Sequence, residues 1–208
     1  MSKRFFLTVL VACSLAAAPA VRNAAADEMG DRLIEMSTRG RLIEVRFALE
    51  QGADPDYRNA DGTTSLLEAV RNRWYPVVRL LLDSGADPDI RSDRNDPAIT
   101  YAAAMGDLDV TQALIEAGAD VEARDTDGIE QLTSESGVTA LWIAARRGMV
   151  DVARVLLEAG ADPATHSADG DAAWAVAKGY GHEEIYQMLV DAGGGPAPEP
   201  ELAPGEGK

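Results

Sequence analysis

The chain has 208 residues, of which 35 are acidic and 19 are Lys or Arg, for a formal net charge of −16. This length allows one or two ordinary domains or a single elongated array. The negative balance speaks against nucleic acid or anionic lipid as a partner and favours a cationic protein. A solvated acidic surface is the competing reading.

Residues 1–26 read as an export signal. Lys3 and Arg4 supply a short basic start, Phe5 to Ala18 an apolar run, and Ala18-Pro19-Ala20 and Ala24-Ala25-Ala26 two small-residue cleavage sites. Cleavage after Ala26 fits best, because an acidic stretch opens at Asp27. It removes three positive charges and no negative ones, leaving −19. The apolar run is too short to span a bilayer, and no later segment can do so. Leu10-Val11-Ala12-Cys13 resembles a bacterial lipobox, so a membrane-anchored lipoprotein lipidated at Cys13 is the alternative to a free periplasmic protein. After ordinary cleavage no cysteine is left, and packing alone must hold the fold.

From here the chain is periodic. Gly40, Arg73, Gly106, Gly148 and Gly181 stand 33, 33, 42 and 33 residues apart. A second marker follows each by 12 residues, at Gly52, Gly85, Gly118, Gly160 and Gly193, and the first four of these open Gly-Ala-Asp. Such a period predicts a stacked array whose units cannot fold alone. In the second unit Leu66, Ala69 and Val70 mark one face of a first helix, and Val77, Val78, Leu81 and Leu82 a stripe on a second. Thr64 is the expected N-cap, Pro76 suits a first turn, and Gly85 ends the pair as a left-handed residue. The fourth unit repeats this with Leu141, Ala144, Ala145, Val152, Val155, Leu156 and Leu157, and the fifth with Trp174, Ala177, Ile185, Met188 and Leu189. The first unit is weaker, with Leu33, Met36, Val45, Phe47 and Leu49 as its apolar set.

This pattern resembles the ankyrin repeat. Asp61-Gly62, Thr64-Ser65-Leu66, Leu156-Leu157-Glu158-Ala159-Gly160-Ala161-Asp162 and Gly181-His182 carry the resemblance, which covers Met29 to Gly193. It implies an all-α repeat solenoid of five stacked units over residues 27–193, each a helix-turn-helix followed by a β-hairpin finger. Two departures stand out. The position where the family has histidine holds Ile34, Leu67, Thr100, Trp142 and Ala175, so the junctions should rely on apolar packing. Arg73 stands where glycine belongs and should cost about 1 kcal/mol if the turn is left-handed. Arg73-Trp74 replaces the usual Gly-His, which with Tyr75 makes either a packed cap or a second contact patch. Residues 194–208, rich in Gly, Pro and Glu, read as a disordered tail.

The resemblance further implies fingers at Pro55–Gly62, Pro88–Asp96, Val121–Gly137 and Pro163–Gly170, which form a concave binding face with the first helices. The third finger is longer by nine residues, assigned to Ile129–Gly137 with Asp127-Gly128 at the usual turn. Ile129 and Leu132 are apolar in that insertion, which points to partner contact, to packing on adjacent fingers, or to an inert loop. Arg58, Arg71, Arg91, Arg94, Arg124, Arg146 and Arg147 fall on the same face with Tyr57 and Tyr101. Arg and Tyr are enriched at interface hot spots, although pairing with nearby Asp explains the arginines equally well.

Chemistry is thinly represented. His166 and His182 lie in different units, no ligand set for zinc is present, and no phosphate loop occurs. The Asp-rich loops lack the register of a calcium-binding helix-loop-helix, which leaves room only for weak calcium stabilisation. The expectation is a non-enzymatic scaffold with no cofactor, binding a protein partner and no nucleic acid. Two alternatives are an accessory factor for a haem or redox enzyme and an inhibitor that neutralises a cationic partner.

Overall fold

The structure is a computed structural model and describes residues 24–91, 95, 97–126 and 136–196. The export segment through Asn23, Arg94, Ile129, Leu132 and residues 197–208 lie outside the described residues. Ten helices follow in pairs: α1 Ala24–Thr38 with α2 Leu42–Glu50, α3 Ser65–Arg71 with α4 Tyr75–Asp83, and α5 Ala98–Met105 with α6 Leu108–Glu116. The last two pairs are α7 Ala140–Arg147 with α8 Val150–Glu158, and α9 Ala173–Gly179 with α10 Glu183–Asp191. The odd-numbered helices pack in succession as one layer and the even-numbered ones as a second, so each unit touches only its neighbours. No strands form among the described residues, and the fingers contribute only the isolated bridges Arg124–Thr139 and His166–Ala172.

Helices of seven to nine residues are marginal alone, so caps and burial decide them. Thr64 accepts from the Leu67 amide at 3.3 Å as the N-cap of α3, and Thr139 does the same for α7 with Trp142. Pro76 occupies the first turn of α4. The core runs the length of the array between the layers, through Leu33, Val70, Leu81, Ile99, Leu114, Leu141, Leu156 and Leu189. Phe47 departs from the expected core. It is 62% exposed, and the buried residue is Ala48, in register with the buried Leu81, Leu114, Leu156 and Leu189 of the later units.

Gly-Ala-Asp has a separate reason for each residue. The glycines at 52, 85, 118 and 160 have φ between 88° and 92°, which only glycine adopts without strain. Each following alanine is buried, and its amide closes the helix end, as Ala86 does on Leu81 at 3.0 Å. Each aspartate folds back on the amide two residues later, at 2.9 to 3.0 Å. That second residue then accepts from the next unit: the Asp87 amide donates to Asp56, Asp120 to Asp89, and Asp162 to Glu122, at 2.7 to 2.8 Å. Past Gly193 the packed chain continues, since the Gly194 amide donates to Leu189 O at 2.8 Å.

Candidate interaction surface

The edge where first helices turn into second helices is built by one contact repeated four times. All five turn residues have left-handed backbones, with φ of 67°, 58°, 65°, 73° and 80° from residue 40 to 181. Arg73 is thus confirmed as a non-glycine in a left-handed position, at a cost of about 1 kcal/mol. Over each turn sits the residue one past the turn of the next unit. The Trp74 ring covers Gly40, Met149 covers Gly106, and His182 covers Gly148, where an added Cβ would lie 2.6 Å from the imidazole. At Arg73, where a side chain fills that space, the covering residue is the small Asp107, which accepts from Arg73 Nε at 3.1 Å. Trp74 covers the turn with one face while staying 42% exposed beside the exposed Tyr75, and its indole N–H donates to Thr38 O at 3.0 Å, as His182 Nε2 meets Arg146 O at 3.1 Å.

The opposite edge, the fingers, is held by arginines. Arg91 donates to Arg124 O at 2.7 Å and to Asn95 O at 3.3 Å. Arg124, one unit on, donates to His166 O and Gly137 O, both at 2.7 Å. Asn95 and Gly137 are the left-handed tips of their fingers, with φ of 61° and 66°. Each arginine therefore ties its own tip to the strand-like segment of the next finger. Neither pairs with aspartate in these contacts, contrary to the simple charge-pairing reading.

Gly137 also corrects the register of the long finger. Its amide donates to Asp125 O at 3.1 Å, as Gly62 does to Asn59 and Gly170 to Ser167. Ser136-Gly137 thus occupy the regular turn, and the nine surplus residues are 127–135 rather than 129–137. Asp127-Gly128 and Ser136-Gly137 offer equivalent turn chemistry, so spacing alone does not separate them.

The other candidates fall in three places. Tyr57 lies at the N-terminal end, where its ring fills the space left by Gly30 and its hydroxyl donates to Asp31 at 3.1 Å. Arg58 is exposed in the first finger. Arg71 lies over the buried Tyr101 ring at 4.8 Å, donates to its hydroxyl at 2.9 Å, and pairs with Glu68 at 3.2 Å. Burial works against the charge of Arg71, but the Tyr101 hydroxyl and Glu68 carboxylate outweigh it and raise its pKa. Arg147, at the end of α7, donates back to Ala104 O, while Arg146 lies over the Trp142 ring of its own helix at 5.9 Å and the Tyr180 ring of the next unit at 5.7 Å.

Three aromatic or cationic neighbours escaped the sequence reading: Tyr180, 61% exposed; Lys178, over Tyr186 at 5.1 Å; and Tyr186 itself. Their signal was the family's Gly-His position beside them, which drew attention to His182 alone. Trp142 was also undervalued. Where histidine was expected, its buried indole donates to Asp171 O at 2.7 Å, so the fourth junction is not purely apolar. His166 takes part through its backbone. Among the described residues no group of His, Cys, Asp or Glu is placed to hold a metal ion, and no helix is long and apolar enough to cross a membrane.

Residues 33–125 match the family model for ankyrin repeats in three copies, and residues 136–167 match that for a single ankyrin repeat. The gap between the matched segments coincides with the surplus residues of the long finger. No curated protein matches the chain. Repeat register, helix pairing and the matched segments, which together cover more than half the sequence, agree that this chain belongs to the ankyrin-repeat family.

Proposed function

We propose that the chain is an exported, non-enzymatic scaffold that binds a protein partner through the concave face formed by its fingers and first helices. Ankyrin repeats are protein-interaction modules, which supports the general class. The observation that carries the reading is the unbroken layer of first helices, packed unit on unit, beside fingers that Arg91 and Arg124 tie to one another. A preformed surface loses little conformational entropy on docking. The surplus residues 127–135 interrupt one finger in sequence, and their apolar Ile129 and Leu132 are assigned to partner contact. Export rests on Lys3, Arg4, the apolar run and the small-residue sites. Cleavage after Ala26 trims only the first three residues of α1 and leaves Asp27 at its start.

Crosslinking in cells that produce the full chain, combined with fractionation, tests the reading. A specific crosslinked protein in the periplasmic or membrane fraction is expected. Recovery of the chain in the cytosol overturns export, and absence of any specific crosslink overturns the scaffold. Replacing Cys13 with Ser separates the two export routes, since only a lipoprotein then leaves the membrane fraction. Removing residues 127–135 should weaken capture; unchanged capture removes the insertion from the binding surface.

A further inference from the structure

The two ends of the stack are finished differently. At the last unit the chain closes its own end: Gly194 is buried, its amide donates to Leu189 O, and Gly195 lies against Val190. At the first unit an open groove of about 270 Å³ lies between α1 and α2, lined by Glu28, Met29, Arg32 and Met36 of α1 and by Phe47 and Ala48 of α2. In the later units the residues in register with Arg32 are Ser65, Ala98, Ala140 and Ala173, and those in register with Met36 are Ala69, Ala102, Ala144 and Ala177; all are buried. Small residues there let each first helix pack against the one before it. Arg32 and Met36 are too large for that packing, so this end does not accept a further unit of the same kind. It nevertheless exposes apolar surface. Phe47 is 62% exposed, and Ile43, one turn earlier, is 80% exposed where the third to fifth units carry Asp109, Asp151 and Glu184. A terminal unit of a repeat array ordinarily turns a polar face outward.

We propose that this end binds the same end of a second copy, α1 against α1 in antiparallel order about a twofold axis. The stripe along α1 is self-complementary under that operation. With the axis at the level of Gly30, Glu28 of each copy faces Arg32 of the other, and Ala25 comes opposite Met36, small against large. Neither Glu28 nor Arg32 forms an ion pair among the described residues, so both charges are available. Met36 and Phe47 supply the dry part of the contact, and the two reciprocal ion pairs fix its register. Much of the remaining surface of a chain with net charge −16 repels its copy, whereas the groove lining carries one acid and one base. Cleavage after Ala26 removes Ala25 from the lining and leaves the charged and apolar pairs intact. The contact lies at the end of the stack and leaves the concave faces of both copies free, so the dimer is a bivalent scaffold.

Sedimentation velocity on the full chain, with its N-terminus read by mass spectrometry, tests this. Over roughly 1 to 200 µM the average mass should rise toward that of a dimer. Phe47→Ser should weaken the dimer by about tenfold. The side chain is mostly exposed, so this variant should keep the helical signal and melting midpoint of the parent. Arg32→Glu sets acid against acid on both sides of the axis and should also weaken the dimer by about tenfold, as should Glu28→Arg with base against base. An equimolar mixture of those two variants should recover the parent affinity as a heterodimer, because every acid then faces a base. A monomer throughout the range overturns the proposal, as does a dimer that Phe47→Ser and Arg32→Glu leave unchanged, or a mixture that recovers nothing. If the monomer retains residues 1–23 and Phe47→Ser lowers its melting midpoint, the groove belongs to that segment and the proposal fails. If a monomeric chain still captures a specific protein in the in-cell crosslinking, the scaffold stands and this assignment alone fails.

Discussion

The second and fourth turn-edge junctions solve one packing problem with opposite chemistry. At the fourth, Gly148 leaves a gap that the His182 ring fills, and the imidazole reaches Arg146 O. At the second, Arg73 fills its own gap, and Asp107 answers it with a short carboxylate that also caps α6 through the Val110 amide at 3.2 Å. What the array requires at this position is a matched pair, large over small or acid beside base. The contrast extends inward. The fourth junction adds the Trp142 indole on Asp171 O and the Thr139–Thr165 hydroxyl contact at 3.0 Å, whereas the equivalent inner position of the second junction holds the buried, wholly apolar Leu67.

The fourth junction should therefore be the easier to damage. Trp142→Ala removes a fully buried ring and its donor together, and should cost about 3–5 kcal/mol in denaturant titration. A loss comparable to that of an exposed residue would mean the junction does not depend on it. Arg124→Met keeps the stem but orphans the finger carbonyls of Gly137 and His166, with an expected cost of about 1–3 kcal/mol. Hydrogen exchange should locate the loosening in the third and fourth fingers.

Gly148→Ala forces a left-handed alanine and pushes a Cβ against His182, a cost of about 1–2 kcal/mol from backbone strain and crowding. Adding His182→Ala should recover the crowding part and leave the strain. A strictly additive double mutant would show that the two residues are not a matched pair. The smallest effect belongs to the second junction. Arg73→Gly relieves about 1 kcal/mol of strain but gives up an ion pair whose guanidinium is 59% exposed and whose Asp107 carboxylate stays bonded to the Val110 amide, a pair worth about as much or less. A slight rise in the melting midpoint is expected; a fall would mean the Arg73–Asp107 contact is stronger than its exposure implies.

Much of the architecture was legible in the residues because its causes are local. Thr64, Pro76, Gly85 and the left-handed Arg73 each declare a backbone requirement at their own position. The exposed Phe47 misled because periodicity describes a face without saying whether a neighbour covers it. Arg91 and Arg124 resembled interface residues because their acceptors are backbone carbonyls, which leave no mark in a sequence. The long finger was placed two residues late because two equivalent turn dipeptides compete for one site. Tyr180 was passed over because solvent exposure depends on the curvature of the stack rather than on any residue pattern.

The carboxylate relay between finger bases has a direction. Each unit hands an acceptor to the amide of the unit after it, from Asp56 to Asp87, Asp89 to Asp120, and Glu122 to Asp162. The next member of the series is Ala164, which has no carboxylate to offer. Its counterpart two residues past Gly193 is the chain's own Gly195, so the carboxylate series ends inside the array, one junction before the last unit. The fifth unit is thus docked without the carboxylate link that joins the four before it, and this makes its finger base the least tethered of the series.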